Sequence, residues 1–87
     1  MKREILIKPT FKKDFEKLPS EMQELFHKYV PYLQEDIFHP YLHAKPLSGK
    51  WRHFSSFRLT RNYRCIFTYD EATVTLHLIS HRKDIYR

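Results

Sequence analysis

Glycine is nearly missing from this chain. Gly49 is the only one among 87 residues, and with five prolines beside it the composition is neither that of a flexible linker nor that of a low-complexity segment. Cysteine is equally scarce. Cys65 alone excludes an internal disulfide and a cysteine-based metal site, and its place in the apolar run Cys65-Ile66-Phe67 marks it as buried filler rather than a reactive thiol. Long apolar runs are absent too: nothing approaches the roughly 18 residues of a membrane helix. The start, Met-Lys-Arg-Glu-Ile-Leu-Ile-Lys, is too short in its apolar part for a signal peptide. A cytoplasmic protein with no membrane partner is expected.

The last scarcity is of acidic residues, and only in one half. Residues 1–44 carry seven Lys or Arg and seven Asp or Glu, whereas residues 45–87 carry nine against three, so the net charge of +6 lies wholly in the second half. Such a local surplus suggests an electropositive face for a polyanion; a plain solubility surplus is the alternative. What is plentiful is aromatic: fourteen Phe, Tyr and Trp residues supply the core of a chain that buries only about 60 to 65% of its unfolded surface. One domain, residues 1–87, is expected.

Residues 3–8, with Ile5, Leu6 and Ile7 ahead of Pro9, read as a short strand. Thr10 is expected to cap a helix in which Phe11, Phe15 and Leu18 share a face, ended by Pro19. Ser20 with Gln23 matches a capping box, and Met22, Leu25, Phe26, Tyr29, Val30 and Leu33 form the stripe of a second amphipathic helix, bent rather than stopped by Pro31. Residues 36–56 lose periodicity and read as a long connection with a turn at Pro46-Leu47-Ser48-Gly49. Strands follow at Phe57–Thr60, Tyr63–Tyr69 and Thr73–Ser80, with a turn at Asp70-Glu71, and His81–Arg87 reads as a polar tail.

The expected fold is therefore α+β in the order β-α-α-β-β-β, a helical hairpin packed on one face of a mainly antiparallel four-stranded sheet. Side chains alternate along strands, which sets Phe57 and Leu59 against Arg58, Cys65 and Phe67 against Arg64, and Val74, Leu76 and Leu78 against His77. One face is then apolar and the other presents arginine.

The segments Pro46-Leu47-Ser48-Gly49, Phe57-Arg58-Leu59, Tyr63-Arg64-Cys65-Ile66-Phe67 and His81-Arg82-Lys83-Asp84-Ile85-Tyr86, in this order and spacing, resemble the RelE/ParE toxin superfamily. The resemblance implies the toxin of a type II toxin–antitoxin system, held silent by a cognate antitoxin. Its RelE and YoeB branches cleave mRNA, generally in the ribosomal decoding site and without a metal. Its ParE branch inhibits DNA gyrase instead. By this resemblance Arg64 and Arg82 hold phosphate, Tyr86 stacks on a base or joins proton transfer, and Arg58 matches the first strand arginine. The stretch from Arg58 to Tyr63 is one residue shorter than the commonest family spacing, and the strand lysines of RelE are missing.

The chemistry needs no cofactor. Ribose supplies the 2′-hydroxyl nucleophile, so the protein must align it, remove its proton, stabilise the added charge and protonate the leaving oxygen. Guanidinium groups suit the charge term because they stay protonated and grip phosphate with two donors, a role for Arg64 and Arg82 with Arg58 assisting. For the proton, His81 has the fitting intrinsic pKa, whereas Tyr86 needs nearby arginines to favour its phenolate; His81 as a strand-end residue bonded to backbone is the plainer alternative. Lys45, Lys50, Arg52 and Arg61 are expected to attract the RNA backbone. Trp51 and Phe54 read as packing residues, with base stacking as the alternative. The other histidines match no metal-ligand spacing. A gyrase inhibitor and a non-catalytic nucleic-acid or partner-binding module remain the competing readings.

Overall fold

The computed structural model describes residues 2–85, so Tyr86 lies outside the described residues. Strand β1 (Glu4–Ile7) leads through Lys8 into helix α1 (Pro9–Glu16). Pro9 opens that helix, because its fixed φ and missing donor suit the first helical position. Thr10, expected as the cap, consequently lies inside α1, and its Oγ1 donates to the carbonyl of His77.

Helix α2 (Ser20–Glu35) carries the expected stripe, with Phe26 and Leu33 buried and Met22, Leu25, Tyr29 and Val30 packed beside them, and it runs on through Pro31. The capping box does not form: Pro19 occupies the cap position and no side chain bonds there. Gln23 turns back instead, its Nε2 donating to the carbonyls of Phe15 and Leu18 at 3.1 Å each. Carbonyls at a helix end lack partners within the helix, so this glutamine ties α1 to α2.

Strands β3 (Ser55–Arg58), β4 (Tyr63–Tyr69) and β5 (Thr73–His81) form the expected antiparallel meander. A two-residue strand β2 (Lys45–Pro46), inside what reads as a connection, pairs with β3, so the sheet has five strands in the order β1-β5-β4-β3-β2 where four were expected. Only β1 and β5 run parallel. Strand β3 begins two residues before the expected Phe57 and stops at Arg58, because the amides of Leu59 and Thr60 both donate to the Tyr63 carbonyl (3.0 and 3.2 Å) and close the turn. Gly49, at φ +64°, starts the short 3₁₀ turn Gly49–Trp51, a backbone setting that costs other residues strain.

Beyond Leu76, strand β5 has outrun β1, and α1 takes over its edge. Lys8 N donates to Leu76 O (2.9 Å), Thr10 Oγ1 to His77 O, and Asp14 Oδ2 accepts from Ile79 N (3.0 Å). The helix thus satisfies with side chains what another strand would satisfy with backbone.

One register shift corrects the expected alternation. Ile66 pairs with Leu78 but Phe67 with Leu76, so His77 is the extra residue of a bulge. Leu78 accordingly leaves the face of Val74 and Leu76 and joins Ile66 on the other. Under the helices lie Phe11, Phe26, Leu33, Ile37, Leu42, Phe57, Leu59, Cys65, Phe67, Val74 and Leu76. Complete burial pushes the Cys65 thiol far above its ordinary pKa, against the opposing charge of Arg64, as inert filler requires. On the far face a smaller cluster joins Leu47, Ile66 and Ile85, with Trp51, Phe54 and Leu78 alongside. Ile85 belongs to a single helical turn, α3 (Arg82–Ile85), and not to the polar tail expected there, because its side chain finds this apolar cluster.

Candidate nucleic-acid interface

The register of the meander gathers the arginines. Arg58 stands directly opposite Arg64, and Arg64 opposite Ser80. The Arg82 amide donates to Asn62 O at 2.7 Å, one residue beyond the last β4–β5 pair, Tyr63 with His81. Directly opposed residues share a face at roughly 5 Å between Cβ atoms, and diagonal ones at roughly 7–8 Å. Arg58 and Arg64 therefore share the face turned away from α1 and α2, and Arg82 follows at the same end of the sheet.

They are not equivalent. Arg58 and Arg82 are exposed, and among the described residues neither has an ion-pair partner. Arg64 is only 6% exposed. Its Nε donates to Ser56 Oγ (2.8 Å) and its Nη2 to the carbonyls of His43 (2.6 Å) and Ser56 (3.5 Å). A buried cation is tolerable when its donors are filled this way. Arg64 lies flat across β3, charging the face from beneath, while Arg58 and Arg82 reach water.

Ser56, fully buried, is the residue of this face that sequence reasoning missed. It stands two positions before Arg58, and the period of two that placed Arg58 also places Ser56 on its face.

His81 takes a different position from the arginines. It pairs with Tyr63, its ring 5.3 Å from the Tyr63 ring, and register puts both on the helix side with Cys65. Its Nδ1 accepts the amide of Lys83 at 3.2 Å, so it caps α3 as a strand-end residue bonded to backbone. Tyr86 lies outside the described residues.

Of the other basic residues, Lys45 shares a row with Ser56 on the edge strand β2. Lys50 and Arg52 flank Trp51 and are exposed, with Lys50 Nζ 5.8 Å from the centre of the Trp51 ring. Arg61 is exposed in the turn between β3 and β4. Trp51 and Phe54 meet edge to face at 5.7 Å over the small cluster, the packing role read from sequence. His77 bonds Thr68 Oγ1 at 2.8 Å, and its pKa is lowered by partial burial and by the charge of Lys8. Among the described residues no three His, Cys, Asp or Glu side chains gather as metal ligands, and no helix is long and apolar enough to cross a membrane.

This fold is that of the RelE, YoeB and YafQ toxins. The chain is similar to a chain of the RelBE2 toxin–antitoxin complex from Mycobacterium tuberculosis, at 21% identity and a TM-score of 0.78 over 94% of this chain and 100% of that one. It is similar to the YoeB/ParE toxin from Agrobacterium tumefaciens (14% identity, TM-score 0.76, 91% and 98% covered). A chain of the RelB–RelE antitoxin–toxin complex from Methanococcus jannaschii gives 23% identity and 0.72, over 93% and 94%. No family model matches the sequence, and no curated protein does.

Proposed function

We propose that this chain is the toxin of a type II toxin–antitoxin pair, acting in the cytoplasm as a metal-independent endoribonuclease on mRNA. The observation that carries the reading is the register that sets Arg58 opposite Arg64 on one face, with Arg82 at the same end of the sheet; the fold shared with toxins supports it.

In this mechanism the exposed Arg58 and Arg82 grip the scissile phosphate, and Arg64 adds its charge from below. The 2′-hydroxyl attacks the neighbouring phosphorus as its proton passes to a base. The bond to the 5′-oxygen breaks, and that oxygen takes up a proton, leaving a 2′,3′-cyclic phosphate and a 5′-hydroxyl. Tyr86 or His81 moves the protons. His81 must then turn from the helix side of the sheet and release the Lys83 amide, which favours Tyr86 as the group to vary first. Lys45, Lys50, Arg52 and Arg61 draw in the RNA backbone. The same basic face, with the apolar surface around it, is the surface a cognate antitoxin of acidic and apolar character covers.

The test is cleavage of RNA by the purified chain, alone and with translating ribosomes, with transcript ends mapped after brief induction. Arg58→Ala and Arg82→Ala should each lower the rate about 10²-fold, the usual cost of one preorganised donor. Intact RNA in both settings defeats the reading, and a block of gyrase supercoiling in its place would establish the ParE-like alternative.

A further inference from the structure

The rim of a sheet offers its outward amides and carbonyls to any chain that can pair with them. Most of this rim is closed. Along β5 beyond Leu76 the rungs are taken by Thr10 and Asp14. On the opposite side β2 has only two residues, and Pro46 has no amide hydrogen to give. Strand β1 is the exception. The amides of Glu4 and Lys8 donate to the carbonyls of Ala72 and Leu76 (2.8 and 2.9 Å), so even-numbered residues address β5 and odd-numbered ones point away from it. Arg3 is answered by α2, its amide donating to Gln34 O at 3.0 Å and its carbonyl accepting from Gln34 Nε2 at 3.2 Å. The outward groups of Ile5 and Ile7 have no such partner among the described residues. Here, too, Leu6 and Ile7 are 43% and 55% exposed.

The sequence of this edge is complementary to itself. Set against a second copy that runs antiparallel and is centred on Leu6, the segment Glu4-Ile5-Leu6-Ile7-Lys8 places Glu4 opposite Lys8, Ile5 opposite Ile7 and Leu6 opposite Leu6. Ile5 and Ile7 carry the outward groups, and a directly opposed pair of that kind exchanges both of its hydrogen bonds. The side chains sort as well as the backbone does. Ile5 pairs with Val74 and Ile7 with Leu76 on the helix side, so Glu4, Leu6 and Lys8 stand on the other. Unlike charges therefore meet across the joint on one face, flanking a leucine pair, an arrangement that stabilises paired strands. Sliding the copies by two residues loses this. One slide brings Ile7 against Arg3, whose amide and carbonyl are occupied, and the other brings Ile5 against Pro9, which has no amide hydrogen.

We propose that β1 is a self-association edge, through which two copies of this chain join about a twofold axis at Leu6 and continue one sheet across both. That axis stands perpendicular to the sheet, so the Arg58–Arg64 pairs of the two copies look the same way. The assembly stops at two because the joint is used up by its own symmetry and the rest of the rim is closed. Three residues of strand bury less than the roughly 1,200 Å² of a stable interface, which sets a dissociation constant of about 0.1 mM. None of this depends on what the arginines bind.

Sedimentation of the purified chain from about 0.01 to about 1 mM should pass from monomer to dimer around that constant. In amide NMR spectra over the same range, the Ile5 and Ile7 signals should shift and their exchange with solvent should slow. Leu6→Lys sets like charges on the axis and should abolish the dimer. Glu4→Lys and Lys8→Glu should each weaken it about tenfold, since symmetry counts every pair twice. The two reversals together restore unlike charges and should restore the dimer. All three side chains are exposed, so thermal melting should show each variant folded. Opposed Leu6 residues lie about 4.5 Å apart at Cα, within disulfide reach, so Leu6→Cys should cross-link on mild oxidation while the buried Cys65 stays out. A monomer throughout the range, a dimer that Leu6→Lys leaves intact, single reversals that the double does not mend, or a Leu6→Cys chain that never cross-links each overturn the proposal. So does a monomer whose Ile5 and Ile7 amides respond only to an extended acidic peptide, which gives the edge to a different protein.

Discussion

The two faces of the sheet solve opposite problems. The helix side is closed by eleven buried residues, four of them phenylalanines. The other side has three buried apolar residues among those described, Leu47, Ile66 and Ile85, beneath a loop and one helical turn. Burial on the first side supplies most of the stability, and the thin cover on the second leaves room for cations that a thick apolar layer would exclude. Stability and charge have thus been separated by the simple alternation of strand side chains.

The strongest way to break that contrast is to cut a hole on the helix side. Phe57→Ala, at 0% exposure, should cost about 3–5 kcal/mol in urea unfolding, whereas Ile85→Ala, in a four-residue helix, should cost about 2 kcal/mol or less. Equal losses would show that the faces share the load. Next come the exposed arginines: replacing Arg58 or Arg82 by Ala should leave the melting temperature within a degree or two while reducing the salt dependence of RNA binding by about 0.7 in slope each. Arg64→Met reaches the boundary between the two roles. It leaves Ser56 Oγ and the His43 carbonyl without their donor and should destabilise by about 1–3 kcal/mol, a loss that neither Arg58→Ala nor Arg82→Ala should produce.

The smallest effect lies at the β4–β5 turn. Asp70 Oδ1 accepts from the Ala72 and Thr73 amides (2.8 and 2.7 Å) and from Thr73 Oγ1 (3.0 Å), and these bonds hold its pKa below the ordinary value. A carboxylate depressed in the folded state stabilises above its unfolded pKa, and that contribution is lost as pH falls through the folded value. The stability gap between wild type and Asp70→Ala should therefore be constant near neutrality and close on acidification below about pH 4; a gap that persists at pH 2 would assign it to the turn's backbone instead.

What was legible in the sequence was whatever depends on neighbours along the chain. Strand β4 occupies the expected Tyr63–Tyr69, and α2 follows the expected stripe through Pro31. Arg58 and Arg64 face each other because only a short turn separates them, which alternation alone could place. The parts that escaped depend on distant groups. The bulge at His77 shows only in pairing with β4. Strand β2 exists by courtesy of Ser55 and Ser56, and one of its two residues is a proline. The burial of Arg64 is fixed by a carbonyl 21 residues away, and Gln23 serves the helix before its own. The position of His81 on the helix side was within reach of the same alternation, but the motif around Arg82 drew both residues into one group.

The handover from β1 to α1 along β5 has a bearing on how such molecules meet one another. Thr10 and Asp14 occupy rungs at His77 and Ile79 where an incoming extended chain would seek its hydrogen bonds. Ribbons of like molecules joined side by side cannot grow through those rungs, so a visitor approaching that stretch must grip side chains or go elsewhere.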